Sequence, residues 1–406
     1  MRVSAENRSA VEERRKTVVR YSLVCALFFA AFAAASYQSV YLMELGLTSS
    51  QIGVGTSIGN LTGLIMLPIW GFISDKVGSP KPLFILCMVA NAVLFLIFPL
   101  YAANLVAYVW PLYPYIAFTT VFRQPANSLL DSWIVGETTP KGIGYGSIRM
   151  WGSIGYAVVS LLLGLVIGKL LPTYSAFFFL AAFCVPLVAF CLKMPATAKT
   201  TKEEKKKKVP LKLLFSNGRF YVYILYTIGL NIYLCVTLIY MGYILEHAGC
   251  DKTLIGVVTG VRALMEIISM RASNVLHRKW PIKWILCLSG LLFGVEHLLY
   301  SQCSGLISCL GVMVLSGLAG GIYYSMGPVY IHEIVDPAVK NTAQSISGMS
   351  MAATGIIGTL IGGKVIEAYG ITTLTTACGC LILALTAIFG ASLLVRSGKR
   401  GKGENA

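Results

Sequence analysis

Between Lys193 and Arg219 the chain reads Lys-Met-Pro-Ala-Thr-Ala-Lys-Thr-Thr-Lys-Glu-Glu-Lys-Lys-Lys-Lys-Val-Pro-Leu-Lys-Leu-Leu-Phe-Ser-Asn-Gly-Arg, with nine basic residues. It is the one long polar interruption in a 406-residue chain that is 56% hydrophobic and 12% charged, with a mean hydropathy of +0.73. A soluble globular protein carries about 25% charged residues. Outward from this segment run apolar stretches of the roughly 20 residues that a bilayer-spanning helix needs. On the N-terminal side they fall at 19–43, 51–74, 82–102, 113–135, 146–168 and 174–192. On the C-terminal side they fall at 220–245, 253–275, 282–301, 304–331, 342–366 and 371–395. The reading is an all-α membrane protein of twelve transmembrane helices. It divides into an N-terminal segment 1–18, a six-helix bundle 19–192, a central loop 193–219, a second bundle 220–395 and a tail 396–406.

Charge supplies the orientation. The formal net charge is +16, from 33 basic and 17 acidic residues. Arg2, Arg8, Arg14, Arg15, Lys16 and Arg20 gather at the N-terminus, and Arg396, Lys399, Arg400 and Lys402 in the tail. The alternate loops hold chiefly Lys169 and Lys252. Short cytoplasmic loops carry such an excess, so both termini and the central loop are expected in the cytoplasm, with the protein in the plasma membrane. The basic runs then orient the chain and touch anionic lipid, and nucleic acid is not an expected partner. Arg14–Arg20 followed by an apolar run ending at Ala33-Ala34-Ala35-Ser36 imitates a cleavable leader; its loss would upset the downstream alternation of charge. Nine of the eleven cysteines fall in spans, where small polarizable side chains pack well. Cys250 and Cys303 lie near outer loops, where pairing is open to them. No Cys/His spacing suggests a metal site.

Six spans on either side of the midpoint invite a search for a repeat. A shift of 195 residues lays Ala157 on Ala352, Leu165 on Leu360, Gly168 on Gly363 and Lys169 on Lys364. The loop after the second span reads Gly71-Phe-Ile-Ser-Asp75-Lys76-Val-Gly78 and follows Pro68-Ile-Trp70. Further on stand Leu130-Asp131, Tyr145-Gly-Ser-Ile-Arg149-Met-Trp151-Gly-Ser-Ile-Gly155, Met265-Glu266-Ile267 and Thr342-Ala343-Gln344. Taken in that order, these resemble the major facilitator superfamily, whose loop signature is Gly-x-x-x-Asp-Arg/Lys-x-Gly. They are similar to its branch near the lactose, nucleoside and phenylpropionate permeases. The resemblance covers nearly the whole chain. It implies two pseudo-symmetric six-helix bundles around a central cavity, alternating access, and a monomer that carries a small solute with protons and no bound cofactor. It also implies that Asp75 and Lys76, framed by Gly71 and Gly78, form a conformational-switch loop. Physically, the two glycines would let helix ends approach, and Asp75 would meet the positive end of a neighbouring helix. Ser79-Pro80 stands where a basic residue often follows, with Lys81 as a substitute.

The ionisable residues inside the spans carry the chemistry. A charge at mid-bilayer costs about 2.5–3.5 kcal/mol even on the lenient insertion scale, so such residues pair, face a cavity or move a proton or solute. Asp131 and Arg149 lie nine residues either side of Pro140, which places them at similar depth on antiparallel helices. They are read as a salt bridge that is either structural or part of a solute-binding pair. Arg123, Asn127 and Asp131 share one helix face. Tyr156 lies near the Arg149 face, where lactose-type permeases have a Trp, while Trp151 points elsewhere. Tyr37, Gln38 and Asn231 are candidate cavity-lining groups, and Gln344 falls opposite Arg149 under the repeat. Arg262 and Glu266, four residues apart, either pair with each other or serve proton coupling, with Glu266 as the coupling carboxylate. His332 and Glu333 are alternative proton groups close to the cytoplasmic end. Glu296-His297, near the outer end of their span, are open to solvation.

The expectation is therefore a secondary transporter for a small polar or amphipathic solute, of the sugar or oligosaccharide class, by proton symport. Proton-coupled efflux, and uptake of a nucleoside or aromatic acid, are the alternatives. No Gly-x-x-x-x-Gly-Lys-Ser/Thr loop is present for direct ATP drive, and no His-Glu-x-x-His is present to support an enzyme.

Overall fold

The computed structural model describes residues 2–104, 109–194, 214, 217–336 and 339–400. The basic run Lys205–Lys208 and Lys402 lie outside the described residues. The described residues are almost all helical, with one isolated bridge between Ile167 and Leu171. We number the helices α1 (Arg2–Ala35), α2 (Tyr37–Glu44), α3 (Ser49–Val77), α4 (Pro80–Asn104), α5 (Leu112–Thr138), α6 (Tyr145–Val166) and α7 (Ser175–Lys193). After the central segment come α8 (Gly218–Ile239), α9 (Met241–His247), α10 (Ile255–His277), α11 (Ile282–Tyr300), α12 (Gly305–Ile334) and α13 (Lys340–Arg400).

Ten helical stretches among the described residues are long and apolar enough to cross a membrane. One of them, Ile346–Leu394, is 49 residues long. It is broken at Gly370, whose φ of 81° and ψ of 168° are non-helical; a side chain there would meet the steric penalty of positive φ. The 27-residue α5 is not among the ten, because Arg123, Gln124, Asn127 and Asp131 dilute its apolar character. Large apolar side chains such as Ile65, Phe72, Leu100, Val185 and Ile307 stand exposed on the helix surfaces. In lipid such faces carry no penalty, and packing and polar contacts take over as the forces between helices.

The helices sort into two compact units, Met1–Gly46 with Ile58–Glu203, and Leu47–Ser57 with Glu204–Ala406. In the first, α1 packs on α6 and α7, and α4 packs on α5 and α7. Phe98 meets Phe177 edge-on with centroids 5.0 Å apart, and the wholly buried Trp133 lies against Tyr21 and Phe84. In the second, α10 packs on α12, α8 on α13, and α11 on both α12 and α13. A Cβ on Gly317 or Gly321 of α12 would collide with the backbone of Arg262 or Glu266 on α10. These small residues let the two helices touch main chain to main chain. The start of α3 travels with this unit: Ser49 Oγ donates to Gly363 O at 2.8 Å, and Ser57 Oγ lies 2.5 Å from Thr359 Oγ1. The sequence reading had assigned all of 51–74 to the first bundle. Cys250 and Cys303 are free thiols.

Candidate functional site

In the first unit the four-residue spacing of Arg123, Asn127 and Asp131 brings their side chains onto one face of α5. Arg123 Nη1 donates to Gln38 Oε1 of α2 at 2.9 Å. Asp131 Oδ1 accepts the Tyr145 hydroxyl at 2.6 Å, and Oδ2 accepts the Asn127 amide at a long 3.4 Å. Tyr145 is the first residue of α6, so the short link after α5 folds it back onto the carboxylate. One turn later, Arg149 lies over the Phe29 ring, 3.8 Å from its centroid, a cation–π placement.

No ion pair joins Asp131 to Arg149 among the described residues. The expected bridge is not formed in this conformation, because Tyr145 occupies the carboxylate and Phe29 holds the guanidinium. Arg149 nevertheless stays within electrostatic range of Asp131. Tyr156 shares a 3.0 Å hydrogen bond with Ser36, Tyr37 is fully buried, and Trp151 is exposed. The outcome is a row of half-buried charges, Arg123, Asp131 and Arg149, with the half-buried Gln38 and the exposed Asn127 beside them, on otherwise apolar helices. Each keeps spare hydrogen-bonding capacity suited to hydroxyls or a carboxylate.

In the second unit Arg262 Nη1 meets Glu266 Oε2 at 3.1 Å, with the side chains 10% and 15% exposed. Both groups border the space beside Gly320, together with the Tyr324 ring. The buried Asn231 accepts the Tyr323 hydroxyl at 3.5 Å. His332 and Glu333 stand exposed in the last turn of α12. Glu333 lines a cavity of about 800 Å³ with Arg219, His277, Arg278, Lys279 and Lys283. Gln344 is exposed.

The segment Gly71–Gly78 is the last turns of α3, which runs to Val77, together with the residue that ends it. Gly71 has open space where a side chain would go, so it makes no close approach. Gly78 has a φ of 78° and donates its N–H to Ser74 O at 2.9 Å; it closes α3 as a left-handed C-terminal cap. Asp75 and Lys76 are exposed and form no ion pair among the described residues.

Sequence reasoning missed Tyr145, Phe29 and Tyr323 as partners, although Tyr145 stood within the quoted motif. It also left Glu296 and His297 open to solvent, whereas both are completely buried. Glu296 Oε1 accepts the Tyr300 hydroxyl at 2.7 Å. The four-residue spacing of these two was the available signal.

Residues 18–376 match the MFS_1 like family. The chain is 25% identical over 367 residues to the uncharacterized transporter YwbF of Bacillus subtilis, covering 90% of this chain and 89% of that one. It is 24% identical over 394 residues to the maltose permease of Geobacillus stearothermophilus, covering 92% and 95%. In structure it superposes on the crystal structure of the nucleoside transporter NupG with a TM-score of 0.79 at 19% identity, over 92% of this chain and 98% of that one.

Proposed function

The chain belongs to the MFS_1 like family, a branch of the major facilitator superfamily and an integral, multi-pass group of transporters, and from that premise we propose that it carries a small polar solute of the sugar or oligosaccharide class by proton symport and alternating access. Splitting the broken helix at Gly370 and adding α5 to the apolar helices gives the twelve spans of this reading. The observation that carries it is the row Arg123, Asp131, Tyr145 and Arg149, half-buried, with the exposed Asn127 beside Asp131, on helices that are otherwise apolar. A bidentate guanidinium and a carboxylate are the groups that grip vicinal hydroxyls. The maltose permease relative supports the solute class. The buried Arg262–Glu266 pair supplies a carboxylate shielded from water, which proton coupling requires.

The test is uptake by purified protein in proteoliposomes with an alkaline interior, offered maltose, sucrose, a nucleoside and an aromatic acid in turn. Accumulation above the outside concentration, abolished by a protonophore, is the expected result. Equilibration without accumulation would remove the proton. Export driven by an acidic exterior would reverse the direction and leave efflux as the reading.

A further inference from the structure

The cavity of about 800 Å³ that Glu333 lines lies wholly within the second unit, at the link between α10 and α11. The link is wound tightly. The amides of Lys279 and Trp280 both donate to Leu276 O at 2.9 Å, and Pro281 leads directly into α11. Arg278, Lys279 and Trp280 are thereby set in succession on the surface, all three exposed. At the start of α8, Asn217 Nδ2 donates to Ile334 O at 2.6 Å and fastens that helix to the end of α12. The tie brings Arg219 of α8 and Glu333 of α12 to the same cavity. Here α8 and α11 begin and α10 and α12 end, so the cavity sits at the end of the unit from which the central segment enters.

Arg219, Arg278, Lys279 and Lys283 line this space against one carboxylate, Glu333. None of the four cations forms an ion pair among the described residues. A cleft lined by one sign of charge gathers the opposite sign, so its occupant is an anion. The rest of the wall is of another kind, with Val222, Ile334, Phe389 and Leu393 presenting hydrocarbon. A small soluble anion has no use for that part. Depth gives a second indication. Trp280 and Trp284 are 53% and 37% exposed, and Lys283 Nζ lies 6.0 Å from the Trp284 ring centroid. Tryptophan gathers where a bilayer meets water, which sets Arg278, Lys279 and Lys283 at the level of the lipid phosphates.

We propose that this cavity binds one anionic phospholipid with a hydroxylated headgroup, of the phosphatidylglycerol kind. The phosphate sits among Arg219, Arg278, Lys279 and Lys283, where guanidinium and ammonium groups make charge-assisted hydrogen bonds to its oxygens. The upper part of an acyl chain lies along Val222, Ile334, Phe389 and Leu393. Glu333 repels the phosphate and accepts a headgroup hydroxyl instead, which favours glycerol over a bare phosphate. Basic pockets between helices at a membrane surface hold lipid headgroups on these terms. The site is separate from the diffuse attraction of the terminal basic runs for lipid, and it rests on no reading of solute or coupling ion.

The test is tryptophan fluorescence of the purified full chain in phosphatidylcholine bilayers, titrated with phosphatidylglycerol brominated in its acyl chains. Bromine quenches an indole that it touches. Quenching is expected to exceed that by brominated phosphatidylcholine and to saturate. Each cation removed near an anionic lipid weakens binding roughly fivefold. Arg278→Gln with Lys279→Gln should therefore shift the midpoint by about 25-fold, and Arg219→Gln alone, on a different helix, by about fivefold. The second variant keeps the site testable if the first fails to fold. Arg15→Gln with Arg20→Gln, which removes two exposed charges from α1, should leave the midpoint in place. Trp280→Phe with Trp284→Phe should abolish the excess quenching. Equal quenching by the two lipids, a midpoint unmoved by the cavity variants, or an equal shift in the α1 variant overturns the site. Excess quenching that outlasts the loss of both tryptophans overturns its placement. Displacement of the lipid by millimolar glycerol 3-phosphate or inorganic phosphate makes the occupant a soluble phosphate and overturns the lipid.

Discussion

Tyr145 holds Asp131 through a 2.6 Å hydrogen bond, while Arg149 rests on Phe29, so the two charges have separate supports. Replacing both by Asn and Gln together is therefore expected not to restore the transport lost in either single variant. Normal insertion with full activity in the double variant would make the pair a purely structural bridge. A hydrogen bond to a charged group is worth about 1.5–3 kcal/mol, so Tyr145→Phe, which removes this support from Asp131, should raise the KM for transport by roughly 10- to 150-fold. Arg262 is a different case because its partner is close and shielded. Arg262→Gln is expected to destabilise the fold by roughly 3 kcal/mol, read as a lowered Tm, and the double change with Glu266→Gln should regain most of it. Glu266→Gln alone should keep exchange of solute across the membrane and lose accumulation driven by a pH gradient. The positions of these residues were legible from the cost of charge in lipid. Their partners were not, because periodicity fixes which side chains share a helix face and says nothing of which facing side chain arrives first.

At the level of helices, Gly317 and Gly321 set the distance between α10 and α12, and hence the position of the Arg262–Glu266 pair that α10 carries. Gly317→Leu is expected to destabilise by about 1–3 kcal/mol through overpacking, seen as a lower Tm and impaired pH-driven uptake together. A change in one without the other would separate packing from positioning. The break at Gly370 was readable in advance as the gap between apolar runs ending at 366 and resuming at 371. The passage of Leu47–Ser57 into the second unit was not. An apolar run reveals that a helix exists, but the hydroxyl contacts of Ser49 and Ser57 that decide its neighbours carry no periodic signal. Likewise α1 buries Val24, Cys25, Phe28, Ala31 and Ala34. It is part of the first unit's core.

For the whole molecule, the basic residues predict that reporters fused at Lys206 and at the C-terminus both report the cytoplasm; an external C-terminus would sink the twelve-span reading. On that reading the links of the second unit on the opposite side are short. Only Ser301–Ser304 separate α11 from α12, and a single non-helical glycine, Gly370, interrupts the last long helix. A protease needs several residues of extended chain in its cleft, and an antibody needs a surface to grip. Added from outside, trypsin should therefore find in the second half chiefly Lys252, in the short link before Ile255, and cut there slowly, while cutting readily in inverted membranes, and an epitope tag meant for the cell exterior would have to bring its own linker.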